Sequence, residues 1–432
     1  MESKHNNLRL PDAFVHLLQS DDLKYDLGSN QGKFISQNVE GKDLIADFLN
    51  YLFIYAKTIK ASDIHFQHRE NGCMIRFRLQ NTQLQDYRLI SRSSAREINT
   101  RLRAQGNLTE MENQRGLDSA FFLIDELDNK LLSIRITFIP TAFGQNIVCR
   151  LLGSADELPL SDIEMPEYIR EEYLKVIRKS KGLIVNSGPT GSGKTKTLAA
   201  TIDYLNDGSL NIMTVEDPPE IIIPGANQVS VSTHLRFADA VRHFMRQDPD
   251  IIMVGEVRDM ETALAATNAA YTGHLVFFTV HAPDAAKTVL RLIQLGADPY
   301  ALAHALLCFY SQRLLPKLCP NCCKMMKGDA AVISRFNFSH YYQANEKGCQ
   351  CCSYTGYKGR IPVFEMAFNN EQITEGILNA NLEQITHALM QQTTYRTLTE
   401  AALELSADGK VDYYHRSEEC REGIECVASC RC

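Results

Sequence analysis

No apolar run in this chain approaches the roughly 18 residues that a membrane-crossing helix needs. The opening residues, Met1-Glu2-Ser3-Lys4-His5-Asn6-Asn7, contain no apolar segment of a secretory leader. The chain is therefore read as neither spanning a membrane nor secreted by that route. Positive charge is not in surplus: 45 Lys and Arg stand against 52 Asp and Glu, a formal net charge of −7. That balance gives no electrostatic case for a nucleic-acid partner. No internal repeat is present. A hydrophobic content of 44% with 22% charged residues excludes global disorder and a fibrous repeat. At roughly 100–200 residues per domain, 432 residues allow a few domains with sizeable cores.

Cysteine, by contrast, is abundant, with 13 residues. Without a route to an oxidising compartment, clustered thiols read as metal ligands rather than disulfides. Cys73, Cys149 and Cys308 stand alone and read as small core residues. Six cysteines fall between Cys319 and Cys352, and four between Cys420 and Cys432. The last group follows an acidic, turn-rich segment and reads as an incidental tail.

The periodicity divides the chain. Residues 1–45 form a polar lead-in. The pattern Leu44-Ile45-Phe48-Leu49-Leu52-Tyr55-Ala56 predicts an amphipathic helix. Strands at 74–79, 121–124 and 132–138 and a helix near 95–102 then predict a small α+β domain over 46–152. A linker is expected at 153–170. From 171 to 315, short apolar runs (182–186, 211–215, 251–254 and 274–280) alternate with helical stretches. This predicts an α/β domain whose parallel sheet is buried on both faces. A cysteine-bearing subdomain at 316–366 and a helical region at 367–432 complete the division.

Gly188-Pro189-Thr190-Gly191-Ser192-Gly193-Lys194-Thr195 matches the pattern G-x-x-x-x-G-K-[ST] between a predicted strand and helix. Glycines there let backbone amides turn around phosphate oxygens at the positive end of a helix. Lys194 would contact the β- and γ-phosphates, and the Thr195 hydroxyl would ligate Mg²⁺. ATP with Mg²⁺ is therefore the expected ligand. The strand Ile251-Ile252-Met253-Val254 leads through Gly255 to Glu256, where the usual aspartate is replaced by glycine. Strand carboxyl ends face the ligand crevice in such sheets, so Glu256 is the expected water-activating carboxylate. Glu216, in Glu216-Asp217-Pro218-Pro219-Glu220, is placed to tune water or metal. His281, at the carboxyl end of its strand, is a candidate γ-phosphate sensor. His274, at the opposite end, reads equally as structural or functional.

In this order the blocks resemble the secretion ATPases of type II secretion and type IV pilus assembly. Ala61-Ser62-Asp63-Ile64-His65-Phe66 resembles the N-terminal Asp-Ile-His motif of that family. Thr214 to Glu220 resembles its Asp box, Arg246 to Asp259 its atypical Walker B segment, and Thr272 to Ala282 its His box. The resemblance covers roughly residues 45–366. It implies a PAS-like N-terminal domain, a RecA-like motor domain with ATP between the two, and a homohexameric ring. It also implies a cytoplasmic protein, peripheral at the inner membrane, that drives a polytopic platform protein. Arg135 and Arg150 fall where the family has arginines reaching the nucleotide. Two departures lie in the N-terminal domain: Leu79-Gln80-Asn81 replaces an Asp-Gly turn, and Gln145 follows Gly144 where Glu is usual. Larger members carry a further docking domain, of which the residues before 45 would hold at most a remnant.

Cys319-Pro320-Asn321-Cys322 and Cys349-Gln350-Cys351-Cys352 form two C-x₂-C pairs with 26 residues between them, spacing suited to a closed tetrahedral Zn²⁺ site. Thr355-Gly356-Tyr357-Lys358-Gly359-Arg360 resembles the segment after the second pair in assembly-type members. That register selects Cys349 and Cys352, which with Cys319 and Cys322 of the first pair make the expected ligand set, leaving Cys323 and Cys351 as spares. Retraction-type pilus motors lack the cluster, so it favours assembly or secretion. The rival readings are a DNA-translocating or conjugative motor of the same superfamily and a non-hydrolysing, nucleotide-regulated scaffold.

Overall fold

A computed structural model describes residues 44–79, 84–106, 108, 116–125, 130–154, 159–232, 234–327 and 340–413. Nearly all of the polar lead-in, Gln80 and Asn81, and the cysteines at 420–432 lie outside the described residues. The chain divides into two compact units, Met1–Ser154 and Ala155–Cys432.

In the first unit, helix α1 (Leu44–Thr58) forms because Ile45, Phe48, Leu49, Leu52, Phe53 and Ala56 fall on one stripe, and all are buried. Strands β1 (Ala61–Arg69), β2 (Gly72–Leu79) and β3 (Leu84–Ile90) follow, then α2 (Arg92–Gln105), whose Ser91 cap accepts from the Ser94 amide. Strands β4 (Leu117–Asp125), β5 (Lys130–Thr141) and β6 (Gly144–Ser154) complete an antiparallel sheet ordered β3-β2-β1-β6-β5-β4. Strand alternation sends Ile64, Phe66, Ile75, Phe77, Ile134, Ile136, Phe138 and Cys149 to one face, where they pack with α1 and α2. Each large side chain buried there contributes about 1.5–3 kcal/mol. The opposite face carries His65, Arg76, Arg135 and Arg150 together with the exposed apolar side chains of Phe122, Ile124 and Ile139.

The second unit begins nearer the sheet than its sequence suggests. Leu160, Ile163 and Met165, expected in a linker, are buried against α3 (Glu167–Ile177), because their apolar side chains complete that layer of the core. Its seven-stranded sheet runs β10 (Asn227–Ser230), β8 (Ile212–Glu216), β11 (Ile251–Val254), β12 (Leu275–Val280), β7 (Gly182–Ser187), β13 (Leu306–Leu318) and β16 (Tyr357–Phe368), with the two-residue strand β9 (Ile221–Ile222) outside it. All neighbours are parallel except β13 and β16. The middle strands β7, β11 and β12 are buried at every residue, as a sheet covered on both faces requires. Helices α4 (Lys194–Leu205), α5 (Phe237–Phe244), α6 (Met260–Tyr271), α7 (Ala285–Gln294) and α8 (Pro299–Ala305) supply the covering layers.

Residues 306–318 and 357–368 pair across the divisions placed at 315 and 366, so the cysteine segment is an arm inserted between two strands of the motor sheet. The arm carries a small hairpin, β14 (Lys324–Lys327) with β15 (His340–Gln343). Helices α9 (Glu371–Leu378), α10 (Leu382–Met390) and α11 (Leu398–Ala407) end the described chain. Among the described residues, no helix is long and apolar enough to cross a membrane.

Candidate active site and metal centre

Strand β7 delivers the chain into the loop Gly188–Thr195, which opens α4. Gly188, Gly191 and Gly193 have φ of 146°, 83° and 87°, the region that disfavours side chains. A Cβ on Gly188 would lie 2.5 Å from the Gln312 carbonyl oxygen, whereas one on Gly191 would meet nothing within 4 Å. The loop is thus pressed onto β13 at its start and open at its crest. Lys194 Nζ donates to the carbonyls of Gly188 at 2.7 Å and Pro189 at 2.9 Å. Burial, reinforced by Arg313 and opposed by Glu256, brings its ammonium down to about 8.

The neighbouring strands end beside this loop. Glu256 follows β11, and its Oε2 accepts from Arg258 Nη2 at 2.5 Å. His281 follows β12: Nδ1 contacts the Gly188 carbonyl at 3.0 Å, while Nε2 lies 2.8 Å from Glu256 Oε1 without hydrogen-bond alignment. Burial works against ionisation of Glu256. The Arg258 hydrogen bond and the charges of His281, Arg258 and Lys194 outweigh it and hold the carboxyl below its usual value. The residue is an anion at neutral pH. Glu216 closes β8 as a buried side chain, and its Oε1 accepts from Thr214 Oγ1 at 2.9 Å and Gln228 Nε2 at 3.0 Å. Burial raises this carboxyl despite those donors. A Cβ on Gly255 would lie 3.3 Å from both Cα and Cγ of Glu216, so the glycine makes room for that buried carboxylate.

Thr190, Lys194, Thr195, Glu216, Glu256 and His281 all line one cavity of about 830 Å³. His274 stands apart from it. Its Nδ1 is 2.9 Å from the Ala269 carbonyl at the close of α6, a structural contact. Arg135 and Arg150 lie in the first unit, directly opposite each other on β5 and β6. Like charges so placed repel. Asp63 Oδ1 relieves this by accepting from Arg150 Nε at 2.8 Å, and Asp118 lies 3.8 Å from Arg135. Gln145, one of the two departures, accepts from Arg103 and Asn99 of α2 and so fastens that helix to the sheet.

In the arm, the sulfurs of Cys319, Cys322, Cys349 and Cys352 all lie within 4.8 Å of one another. Cys319–Cys349 and Cys349–Cys352 are 3.7 Å apart, and Cys322–Cys352 is 3.8 Å. Four sulfurs at about 2.3 Å from a tetrahedral Zn²⁺ would be separated by about 3.8 Å, so the cluster fits that ion. The Cys349 and Gly356 amides point at Cys352 Sγ from 3.1 and 3.3 Å. Burial alone would raise this thiol, but the amides and neighbouring sulfurs bring it to about 6, which favours the thiolate a metal requires. Cys351 is exposed and bonded to Asn321, and Cys323 faces Pro320, both outside the cluster.

The family model described as type II/IV secretion system protein matches residues 38–421. The chain belongs to that family. The type II secretion system ATPase E of Vibrio cholerae is 32% identical over 391 residues, covering 86% of this chain and 77% of that protein. The type IV pilus assembly ATPase PilB of Thermus thermophilus is 34% identical over 358 residues, covering 81% of this chain but only 40% of that longer protein. A crystal structure of the pilus retraction motor PilT with bound ADP superposes with a TM-score of 0.64 at 26% identity, covering 84% of this chain and 94% of that one. The DotB ATPase of Legionella pneumophila shares the fold, with a TM-score of 0.61 at 21% identity. The chain is thus an ATP hydrolase of the type II secretion and type IV pilus assembly kind.

Several contacts in this secretion ATPase carry no readable signal in the sequence. Arg258 lies within the Arg246–Asp259 segment, yet only the structure shows that it grips Glu256. Gln312 and Arg360 line the phosphate cavity from strands far along the chain. Asp63 belongs to a recognised motif, and its contact with Arg150 gives that motif a physical purpose.

Proposed function

We propose that this chain binds Mg·ATP in the Gly188–Thr195 loop, hydrolyses it, and converts the cycle into work on a polytopic inner-membrane platform protein. The convergence of Glu256 and His281 on Lys194, at the carboxyl ends of three adjacent parallel strands, carries the reading. Lys194 Nζ leaves the loop carbonyls for β- and γ-phosphate oxygens, where its charge is matched. Thr195 and Glu216 would hold Mg²⁺, which supplies neutralisation of phosphate charge when bound. Glu256, ionised and steadied by Arg258, orients a water toward the γ-phosphorus and draws its proton. The water oxygen bonds to phosphorus as the bridging bond to the β-phosphate breaks, leaving ADP and phosphate. His281, joined to Gly188, registers the γ-phosphate, and Arg135 and Arg150 offset charge on the transferring group.

The four cysteines are proposed to hold a structural Zn²⁺ that closes the arm between β13 and β16. The working form is proposed to be a cytoplasmic homohexamer, peripheral at the inner membrane. The acidic balance offers nothing to a DNA track. Phosphate release from Mg·ATP by the full chain, measured with the mass of the assembly, tests the proposal. Saturable release by a hexamer supports it. A chain that stays monomeric with nucleotide contradicts the ring, and one whose turnover is nil with platform protein supplied contradicts the motor.

A further inference from the structure

We propose that Glu365 is a positioning residue for His281, through which the C-terminal helices bias the γ-phosphate end of the ATP site. The inference rests on the role given to His281 above. Glu365 lies on β16 and is only 4% exposed. Its Oε1 accepts from the Ala285 amide at 2.9 Å and from the Tyr395 hydroxyl at 2.7 Å, and its Oε2 accepts from the Leu398 amide at 3.1 Å. Ala285 and Leu398 are the first residues of α7 and α11, so one buried carboxylate closes the N-termini of two helices.

Helix α7 starts only four residues after His281. The loop between them is held by the same pair of strands. The Pro283 carbonyl accepts from Arg313 Nη2 at 2.7 Å and from Ser311 Oγ at 3.3 Å, and Ser311 is the register partner of Glu365. Further along α7, Thr288 Oγ1 donates to Ser187 Oγ at 2.6 Å, on the residue that precedes the phosphate loop. At its other end the loop places His281 on Gly188 and beside Glu256. A shift of α11 or of Tyr395 therefore reaches His281 through a single side chain with a small number of discrete hydrogen-bonded arrangements. Packing alone would not need an ionisable group here. A carboxylate can serve both helix ends at once because it offers two acceptor oxygens.

Glu365→Gln keeps the shape but turns one oxygen into a donor, which releases one of the two helix termini. Turnover and KM for Mg·ATP are compared in the full chain for wild type, E365Q, H281A and the double variant. The expected result is an about fivefold fall in kcat for E365Q with KM little changed, and no further fall when H281A is already present. An equal fall in both backgrounds, or no fall at all, overturns the inference while leaving the His281 assignment intact. H281A with undiminished turnover removes that assignment and this inference together. Should E365Q fail to fold, Tyr395→Phe drops one of the three donors at nearly unchanged shape. An about twofold fall confined to the wild-type background supports the coupling, and an effect independent of His281 refutes it.

Discussion

Replacing Glu256 with Gln separates chemistry from binding and from stability. The carboxylate lies 2.5 Å from the Arg258 guanidinium and 2.8 Å from the His281 imidazole, and its charge also acts on Lys194. Both neighbours are substantially exposed, with side-chain exposures of 66% and 46%, so solvent screens what their pairing contributes to stability. Exposed pairs of this kind are worth about 0–1 kcal/mol, and the melting temperature of E256Q should move by only a few degrees. The amide still fills the space but accepts a proton poorly and no longer holds a water against the γ-phosphorus. A positioned base contributes about 10²–10⁴-fold, so kcat should fall by that factor, about 3–5 kcal/mol in barrier. Removing a negative charge beside the phosphates should leave ATP affinity unchanged or tighter. The assay is steady-state phosphate release with nucleotide affinity by calorimetry and a thermal melt on the same preparation. Turnover within twofold of wild type would refute the assignment, as would parallel loss of binding and turnover.

Four further outcomes are expected. Lys194 is held at about 8 by burial, and a triphosphate should restore its charge; Mg·ATP binding between pH 8 and 9 should therefore take up protons. Calorimetry in buffers of different ionisation enthalpy should show that uptake, and Lys194→Arg, which is always protonated, should abolish it. Because the lowered value disfavours the charged form in the fold, this residue's contribution to stability should rise as pH climbs from 8 toward its unfolded value, the reverse of an ion-paired lysine. Gly255→Ala would press a methyl to 3.3 Å from Glu216 Cα and Cγ and the Val215 carbonyl, costing about 1–3 kcal/mol in a melt and reducing turnover by displacing Glu216. Purified protein should carry about one Zn²⁺ per chain, lost with a lowered melting temperature in Cys349→Ser and retained in Cys351→Ser.

What the sequence displays follows the range of the physics. The phosphate loop is readable because its glycines, Lys194 and Thr195 act over eight consecutive residues between a strand and a helix. Helix α1 is readable because its apolar stripe repeats every three or four residues. Strand β13 is harder. Leu306–Leu318 follows α8 without a break and mixes apolar and polar residues, so neither period stands out, and only its pairing with β7 and β16 settles its conformation. Gln312 and Glu365 act through partners distant in the chain, which leave no local pattern, and the turn of Arg258 back onto Glu256 two residues earlier is set by the fold of the loop after β11. The resemblance of Thr355–Arg360 to the family segment after the second cysteine pair selects Cys349 and Cys352, while the separation of Cys351 from the cluster depends on how the short turn after Cys349 folds. The His274 contact with Ala269 is a helix-end hydrogen bond, invisible to strand alternation.

The most direct measurement of the central claim compares Mg·ATP binding and phosphate release by the full chain with those of Lys194→Ala. Wild type should bind and hydrolyse the nucleotide, and the variant, missing the ammonium at the β- and γ-phosphates, should lose both. Turnover that persists in Lys194→Ala would show that the loop does not cradle the triphosphate.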